Sequence, residues 1–235
     1  MQLSGSFFAK QGGALFTDIE LSLFPNGWTC LLGPSGVGKT TILRLIAGLP
    51  THGDFSGSIT PVLKKGASCA YMAQQDLLLP WLDVVGNVMM GAKLRGETAD
   101  RNLAQDLIRR VGLAEHADKK PAQLSGGMRQ RAALARTLME DRALVLLDEP
   151  FSALDARTRA EMQELAHELL HGKTVLLVTH DPAEAARIGD RNYILNEDVL
   201  FETAAKSGTD IAEPDADETL VLQSQLLTKL RKRAA

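Results

Sequence analysis

With 235 residues, of which 45% are hydrophobic and 23% charged, the chain can bury a sizeable core, as one large domain or as a domain carrying a subdomain. Its net charge of -3 offers no general basic surface, so nucleic acid is not an expected partner. Cys30 and Cys69 both sit in apolar surroundings and read as small buried hydrophobes rather than a disulfide or metal ligands, which fits a reducing compartment. Met1 to Lys10 lacks the basic flank and long apolar stretch of a signal peptide. No apolar run approaches the ~20 residues that span a bilayer, so a role at a membrane would need another chain to supply the span.

Two strands are predicted first, Leu3 to Lys10 and Ala14 to Phe24, joined at Gln11, Gly12 and Gly13, with a turn at Pro25, Asn26 and Gly27. The apolar run Thr29 to Leu32 reads as a short buried strand. Gly33, Pro34, Ser35, Gly36, Val37, Gly38, Lys39 and Thr40 then fit G-x-x-x-x-G-K-[ST]. Lys39 to Ala47 carries Ile42, Leu43 and Ile46 at helical spacing, and Gly48 is placed to stop the helix. Strand, loop and helix in this order make a phosphate cradle. The glycines let backbone N–H groups face the β- and γ-phosphates, and the positive end of the helix dipole faces the same charge. Lys39 adds a full positive charge, the Thr40 hydroxyl is a Mg²⁺ ligand, and Thr41 completes the expected nucleotide-binding set.

From Thr51 to Lys65 the Gly, Ser, Pro and Lys content suggests a loop and weak hairpin leading to the strand Ala67 to Met72. About 75–124 is expected to be a helical subdomain inserted into the core, with helices over Val84 to Lys93 and Thr98 to Val111. The second has Leu103, Leu107, Ile108 and Val111 on its inner face and ends at Gly112. Gly126 to Met139 and Asp155 to His171 are further helices, and Ala143 to Leu147 and Thr174 to Thr179 are apolar strands. Ser207 to Glu218 is polar and acidic, a linker to an amphipathic helix from Leu220 to Arg233. That helix has Leu222, Leu226 and Leu230 in register, and Lys229, Arg231, Lys232 and Arg233 at its negative end. The fold class is therefore α/β: a P-loop NTPase core with a mostly parallel sheet, antiparallel N-terminal strands and the inserted helical subdomain. The nucleotide-binding domain is expected over 1–205, and the linker with its helix over 206–235.

A P-loop alone leaves kinases, GTPases and ATPases open, so the second half decides. The strand ends in two adjacent carboxylates. Asp148 is suited to hold Mg²⁺, and Glu149 to polarise an attacking water as general base. Leu124, Ser125, Gly126, Gly127, Met128, Arg129, Gln130 and Arg131 form a second glycine-containing helix start, where Ser125 can hydrogen-bond an anion and Gly126 and Gly127 let backbone N–H groups approach it.

On these residues the chain resembles the ATP-binding subunits of ATP-binding cassette transporters, over about residues 1–200. Leu124 to Arg131 resembles that family's signature motif, with Met128 in place of the commoner Gln. Gln74 resembles the Q-loop glutamine, which in the family touches Mg²⁺ or the attacking water. Ser152, Ala153, Leu154 and Asp155 resemble the D-loop, and His180 the switch histidine at the γ-phosphate, followed by Asp181 and Glu184. The resemblance implies ATP and Mg²⁺ as cofactors, with Thr40, Gln74 and Asp148 at the metal and Glu149, His180 and Gln74 in catalysis. It implies a head-to-tail homodimer in which Ser125, Gly126 and Gly127 close the partner copy's nucleotide. It further implies a peripheral location on the cytoplasmic face of the membrane, through separate permease subunits and with a possible solute-binding protein. Leu78, Leu79, Pro80 and Trp81 resemble the continuation found in importers of the nitrate, sulfonate, taurine or thiamine-precursor kind, and suggest a docking groove for a short cytoplasmic helix of the permease. The alternatives are an ATPase of this family driving a non-transport membrane process, or a small-molecule kinase. Lys10 stands about where the family places its adenine-stacking aromatic, with Phe8 the nearest candidate, and Gly86 stands where many relatives have Glu.

Overall fold

The computed structural model describes residues 1–10, 12–60, 69–196, 199–208 and 210–231. In chain order the elements are β1 (Gln2–Ala9), β2 (Ala14–Ser22), β3 (Trp28–Leu32), α1 (Lys39–Ile46), β4 (Gly53–Thr60), β5 (Ala70–Met72), α2 (Val84–Val88), α3 (Met90–Leu94), α4 (Arg101–Arg110), α5 (Gly126–Leu138), β6 (Leu144–Asp148), α6 (Ala156–Leu169), β7 (Thr174–Thr179), α7 (Pro182–Ile188), β8 (Arg191–Asn196), β9 (Val199–Thr203) and α8 (Asp217–Arg231). They fall into two compact units. One comprises Met1–Cys69, Ala143–Asp148 and Gly172–Ala235, and the other Ala70–Arg142 and Glu149–His171.

In the first unit the main sheet runs β6-β7-β3-β8-β9, parallel except for the β8–β9 pair. All five residues of β3 and of β6 are buried, as expected of apolar strands covered on both faces. Helix α1 lies against β6 and β7 through its buried face of Ile42, Leu43 and Ile46. Gly48 closes it in the left-handed conformation, at φ 67°, where a side chain would be strained. Helix α8 packs on α7 with Leu222 and Leu226 buried and Leu230 half-buried. The expected C-terminal positions Lys232 and Arg233 lie outside the described residues, as do Gln11 of the first turn and residues 67–68 of the expected strand before Met72.

The second sheet of this unit, β2-β1-β4, is antiparallel. The stretch read as a loop and weak hairpin is in fact the eight-residue strand β4 as far as Thr60, paired with β1 from Gln2↔Thr60 to Ala9↔Gly53; residues 61–68 lie outside the described ones. Composition misleads here because the small residues answer a steric demand of the ladder. Gly5 and Gly57 are directly paired, and a Cβ on Gly5 would stand 2.4 Å from the Ser56 carbonyl oxygen and 2.7 Å from Gly57 Cα. The free edge of β1 supplies the pairing that weak local propensity does not.

The second unit is built on α5, whose Ala132, Ala133, Leu134, Ala135, Thr137 and Leu138 are buried and which packs on β5, α2, α4 and α6. The helix expected over Val84 to Lys93 divides at Met89 into α2 and α3. Asn87, wholly buried, turns its side-chain amide away from regular helix packing to bind the segment before it. Nδ2 donates to the carbonyls of Leu79, Leu82 and Asp83, and Oδ1 accepts from Leu79 N at 2.7 Å. The expected inner position Leu103 is 42% exposed, whereas Ala104, Leu107, Ile108 and Val111 are buried. A 3.6-residue period starting from Leu107 reaches 104, 108 and 111 and leaves 103 at the margin of that face.

Candidate nucleotide site

The phosphate loop follows β3, within the first unit. Gly33 approaches β8 so closely that a Cβ would lie 2.2 Å from the Leu195 carbonyl oxygen, and Gly36 and Gly38 hold φ of 83° and 108°. These glycines are steric necessities, because an L side chain is unfavourable at such φ. Pro34, Ser35 and Gly36 are exposed, while Val37 and Lys39 are buried and Thr41 is half-buried. Lys39 folds over the loop it belongs to, Nζ donating to the carbonyls of Gly33 at 2.6 Å and Pro34 at 2.8 Å. That contact pins the loop's shape and keeps a full positive charge where phosphates would bind.

Thr40 Oγ1 donates to Asp148 Oδ2 at 2.8 Å, joining residues 108 positions apart. Asp148 is 2% exposed at the C-terminal end of β6. The pair fits Mg²⁺: both are hard oxygen donors, and neighbouring corners of an octahedron with ~2.1 Å bonds lie ~3 Å apart. His180 is exposed just past β7, the strand between β6 and β3, so the loop, Asp148 and His180 share one sheet edge. Strand C-terminal edges are where open α/β sheets take ligands. Asp181 and Glu184, which follow His180, fasten its loop. Thr179 Oγ1 donates to Glu184 Oε2 at 2.6 Å, the Asp181 N–H donates to Thr179 Oγ1, and Asp181 caps α7 through the Ala183 N–H. Phe8 is 46% exposed on β1. Beside the loop itself stand Leu15 and Phe16 of β2, within 3.0 and 3.2 Å of where a Cβ on Gly38 would be. The motif spacing gave no sign of that apolar wall.

In the second unit, Gln74 and Glu149 meet, with Gln74 Nε2 donating to Glu149 Oε2 at 3.4 Å. Glu149 is half-buried and its backbone is left-handed, at φ 49°. For a residue with a Cβ this costs on the order of 1 kcal/mol and persists only where surrounding bonds impose it. The Ser152 N–H and Oγ both donate to the Glu149 carbonyl oxygen, at 3.3 and 3.0 Å. Gln130, buried on α5 and given no role by the sequence reading, reaches the same carbonyl.

Ser125 is the N-cap of α5, its Oγ accepting from the Met128 N–H at 3.2 Å. The cap uses the oxygen as acceptor and leaves the hydroxyl proton to donate to an anion. Ser125 and Gly126 are exposed, and Gly127 is close-packed, a Cβ there meeting the Ala153 carbonyl oxygen at 3.3 Å. The N-terminus of this 13-residue helix is thus open, glycine-lined and positive. Gly86 is buried in α2, its N–H donating to the capping Asp83 Oδ1, and a Cβ there would lie 2.9 Å from that oxygen.

Residues 16–152 match the ABC transporter family. A Haemophilus influenzae protein named an uncharacterized ABC transporter ATP-binding protein is 46% identical over 230 residues, covering 94% of this chain and 95% of its own. The aliphatic sulfonates import ATP-binding protein SsuB of Delftia acidovorans is 41% identical over 229 residues, covering 97% and 91%. Among solved structures, the dimeric bacterial ABC transporter cassette MJ0796 matches with a TM-score of 0.76 at 27% identity, over 88% of this chain and 100% of that one. The same cassette in a post-hydrolysis state bound to ADP and Pi matches with a TM-score of 0.75 at 26% identity, over 87% and 99%. The chain belongs to the ABC transporter family, as one of its ATP-hydrolysing cassettes.

Proposed function

We propose that this cassette powers the import of a small solute through separate membrane permease subunits, working as a pair of identical copies on the cytoplasmic face of the membrane. Relatives named for aliphatic sulfonate import make sulfonates the first solutes to test, and a solute-binding protein is the further partner this reading assigns. Thr40 and Asp148, with Gln74, are assigned to Mg²⁺, which when bound supplies positive charge against the phosphates. Gly33 to Thr41 bind the nucleotide, Glu149 takes the proton of the attacking water, and Gln74 and His180 position that water and the γ-phosphate. Ser125, Gly126 and Gly127 are assigned to the partner copy's nucleotide.

The observation that carries the transport reading is Trp81. It is 66% exposed, close in sequence to Leu77 at 59%, while Leu78 of the same segment is buried. An exposed indole on a segment that Asn87 fixes in place is the kind of aromatic anchor a partner protein buries, and among the described residues no helix is long and apolar enough to cross a membrane. Trp81→Ala should leave the isolated subunit folded and hydrolysing ATP at close to its normal rate. In vesicles reconstituted with the permease, sulfonate uptake should fall at least ~5-fold, the loss of a >1 kcal/mol interface contact. Unaltered assembly and uptake would rule the docking role out.

The paired arrangement has its own test. Ser125→Ala removes a helix cap worth about 1 kcal/mol, which α5 can lose because most of it is buried. The variant should bind ATP as a monomer but fail to form the ATP-dependent pair in sedimentation. Loss of ATP binding by the monomer would contradict the assignment of Ser125 to the partner's nucleotide.

A further inference from the structure

We propose that Gln130 is a positioning residue for hydrolysis, a clamp on α5 that holds the backbone of Glu149 in its left-handed conformation; this rests on the assignment of Glu149 as general base. Three observations within one compact unit support it.

Gln130 is 6% exposed, and both ends of its amide are used. Nε2 donates to the Glu149 carbonyl oxygen at 2.9 Å and lies 3.4 Å from Ser152 Oγ, while Oε1 accepts from the Ala153 N–H at 2.8 Å. The amide has one workable orientation. Rotated by half a turn, it would set oxygen against the Glu149 carbonyl and NH₂ against the Ala153 N–H. The side chain therefore spans the segment from Glu149 to Ala153 and fixes its two ends relative to α5.

The segment it spans is the one that needs holding. Glu149 occupies φ 49° although it carries a Cβ, and its carbonyl oxygen collects the Gln130 amide together with the N–H and hydroxyl of Ser152. The bonds from Ser152 are local and travel with the loop. Gln130 alone of these donors belongs to a different element, so it ties the loop's conformation to the body of the unit. Turning the Glu149 peptide would swing its carboxylate away from Gln74, and displacement of a reacting group by ~1 Å is enough to cost ~100-fold.

Gln130 also lies five residues after Ser125, on the helix whose first turn is assigned to the partner copy's nucleotide. Within the same helix Arg129 pairs with Asp76 at 3.1 Å, and Arg136 donates to the Asp76 and Leu77 carbonyls, just past Gln74. The helix thus grips both chain segments that carry Gln74 and Glu149. Engagement of its N-terminus is in this way linked to the placement of the base in its own chain.

The test is steady-state ATP hydrolysis by Gln130→Leu and Gln130→Glu across pH, with thermal melting of each. Gln130→Leu should lower kcat about 10- to 100-fold with the KM for ATP changed less than about 2-fold, because it alters placement of the base and no contact with nucleotide. Gln130→Glu keeps shape and the acceptor for Ala153. Its carboxylate repels the Glu149 carbonyl, whereas its neutral acid can donate to it. Activity relative to wild type should therefore be lowest at pH 8 and climb toward pH ~5.5, where a buried carboxyl gains its proton. A purely structural role would make that ratio follow the folded fraction, so melting is recorded at each pH and kcat is compared where both proteins are fully folded. If Gln130→Leu does not fold, the pH dependence of the near-isosteric Gln130→Glu carries the test alone. Wild-type kcat in a folded Gln130→Leu, or a flat ratio in Gln130→Glu, overturns the clamp. Turnover retained by Glu149→Gln, measured in parallel, would remove the base assignment instead, whatever the Gln130 variants do.

Discussion

Glu149→Gln is expected to lower ATP hydrolysis at least ~100-fold, the usual contribution of a positioned general base, while ATP still binds. The substitution preserves size and shape, so neither the contact with Gln74 nor the three donors on the Glu149 carbonyl needs to change. What disappears is the capacity to accept a proton. The nucleotide contacts assigned to Gly33 through Thr41 lie on other residues and remain. ATP-bound pairs should therefore accumulate, visible as a doubled mass by light scattering at saturating ATP, with phosphate release nearly absent. Near-normal turnover would place the base elsewhere, and His180, exposed at the end of β7, would be the next residue to test.

Whether a feature could be read from the sequence depended on how local its cause is. The strands β3, β6 and β7 were legible because each is a continuous apolar run, and a strand buried on both faces requires nothing else. The pairing of Thr40 with Asp148 spans 108 positions and was still legible, since each residue sits in a motif that announces its own chemistry. Strand β4 was not, because Gly53, Ser56, Gly57 and Ser58 look like a loop until β1 is seen to need a partner with no side chain beside Gly5. Nor was the division at Met89, whose N–H still bonds the Val85 carbonyl although ψ there opens to -2°. Gln130 belongs to the same class. It stood inside a motif, yet its partners lie 19 and 23 positions away, and its use of both amide ends is a property of the folded unit alone. Hydrophobic period and motif spacing record short-range requirements, whereas a single buried amide answers to whatever the chain brings past it.

The largest loss outside Glu149 is expected from Lys39→Ala. In the structure Lys39 is 5% exposed and its ammonium donates to the carbonyls of Gly33 and Pro34, so removing it deletes two roles at once. The structural role rests on two hydrogen bonds from a charged donor, ~1.5 kcal/mol each, partly recovered because the Pro34 carbonyl lies in an exposed part of the loop and can take water. The electrostatic role is larger. A unit charge ~4 Å from a phosphate oxygen contributes about 4 kcal/mol at an effective dielectric of 20, and part of that is spent in stripping water from both. A fall of about 100- to 1000-fold in ATP affinity or in kcat/KM is the expected net result, against a modest drop in melting temperature. Lys39→Arg should not restore activity, because a planar guanidinium does not reproduce the compact ammonium that donates to two backbone oxygens 2.6 and 2.8 Å away. Titration with a fluorescent ATP analogue and a thermal melt on the same samples separate the two roles. Unchanged affinity and turnover in a destabilised Lys39→Ala protein would reduce Lys39 to a staple for the loop, whereas lost affinity in a stable one identifies its charge as the phosphate ligand.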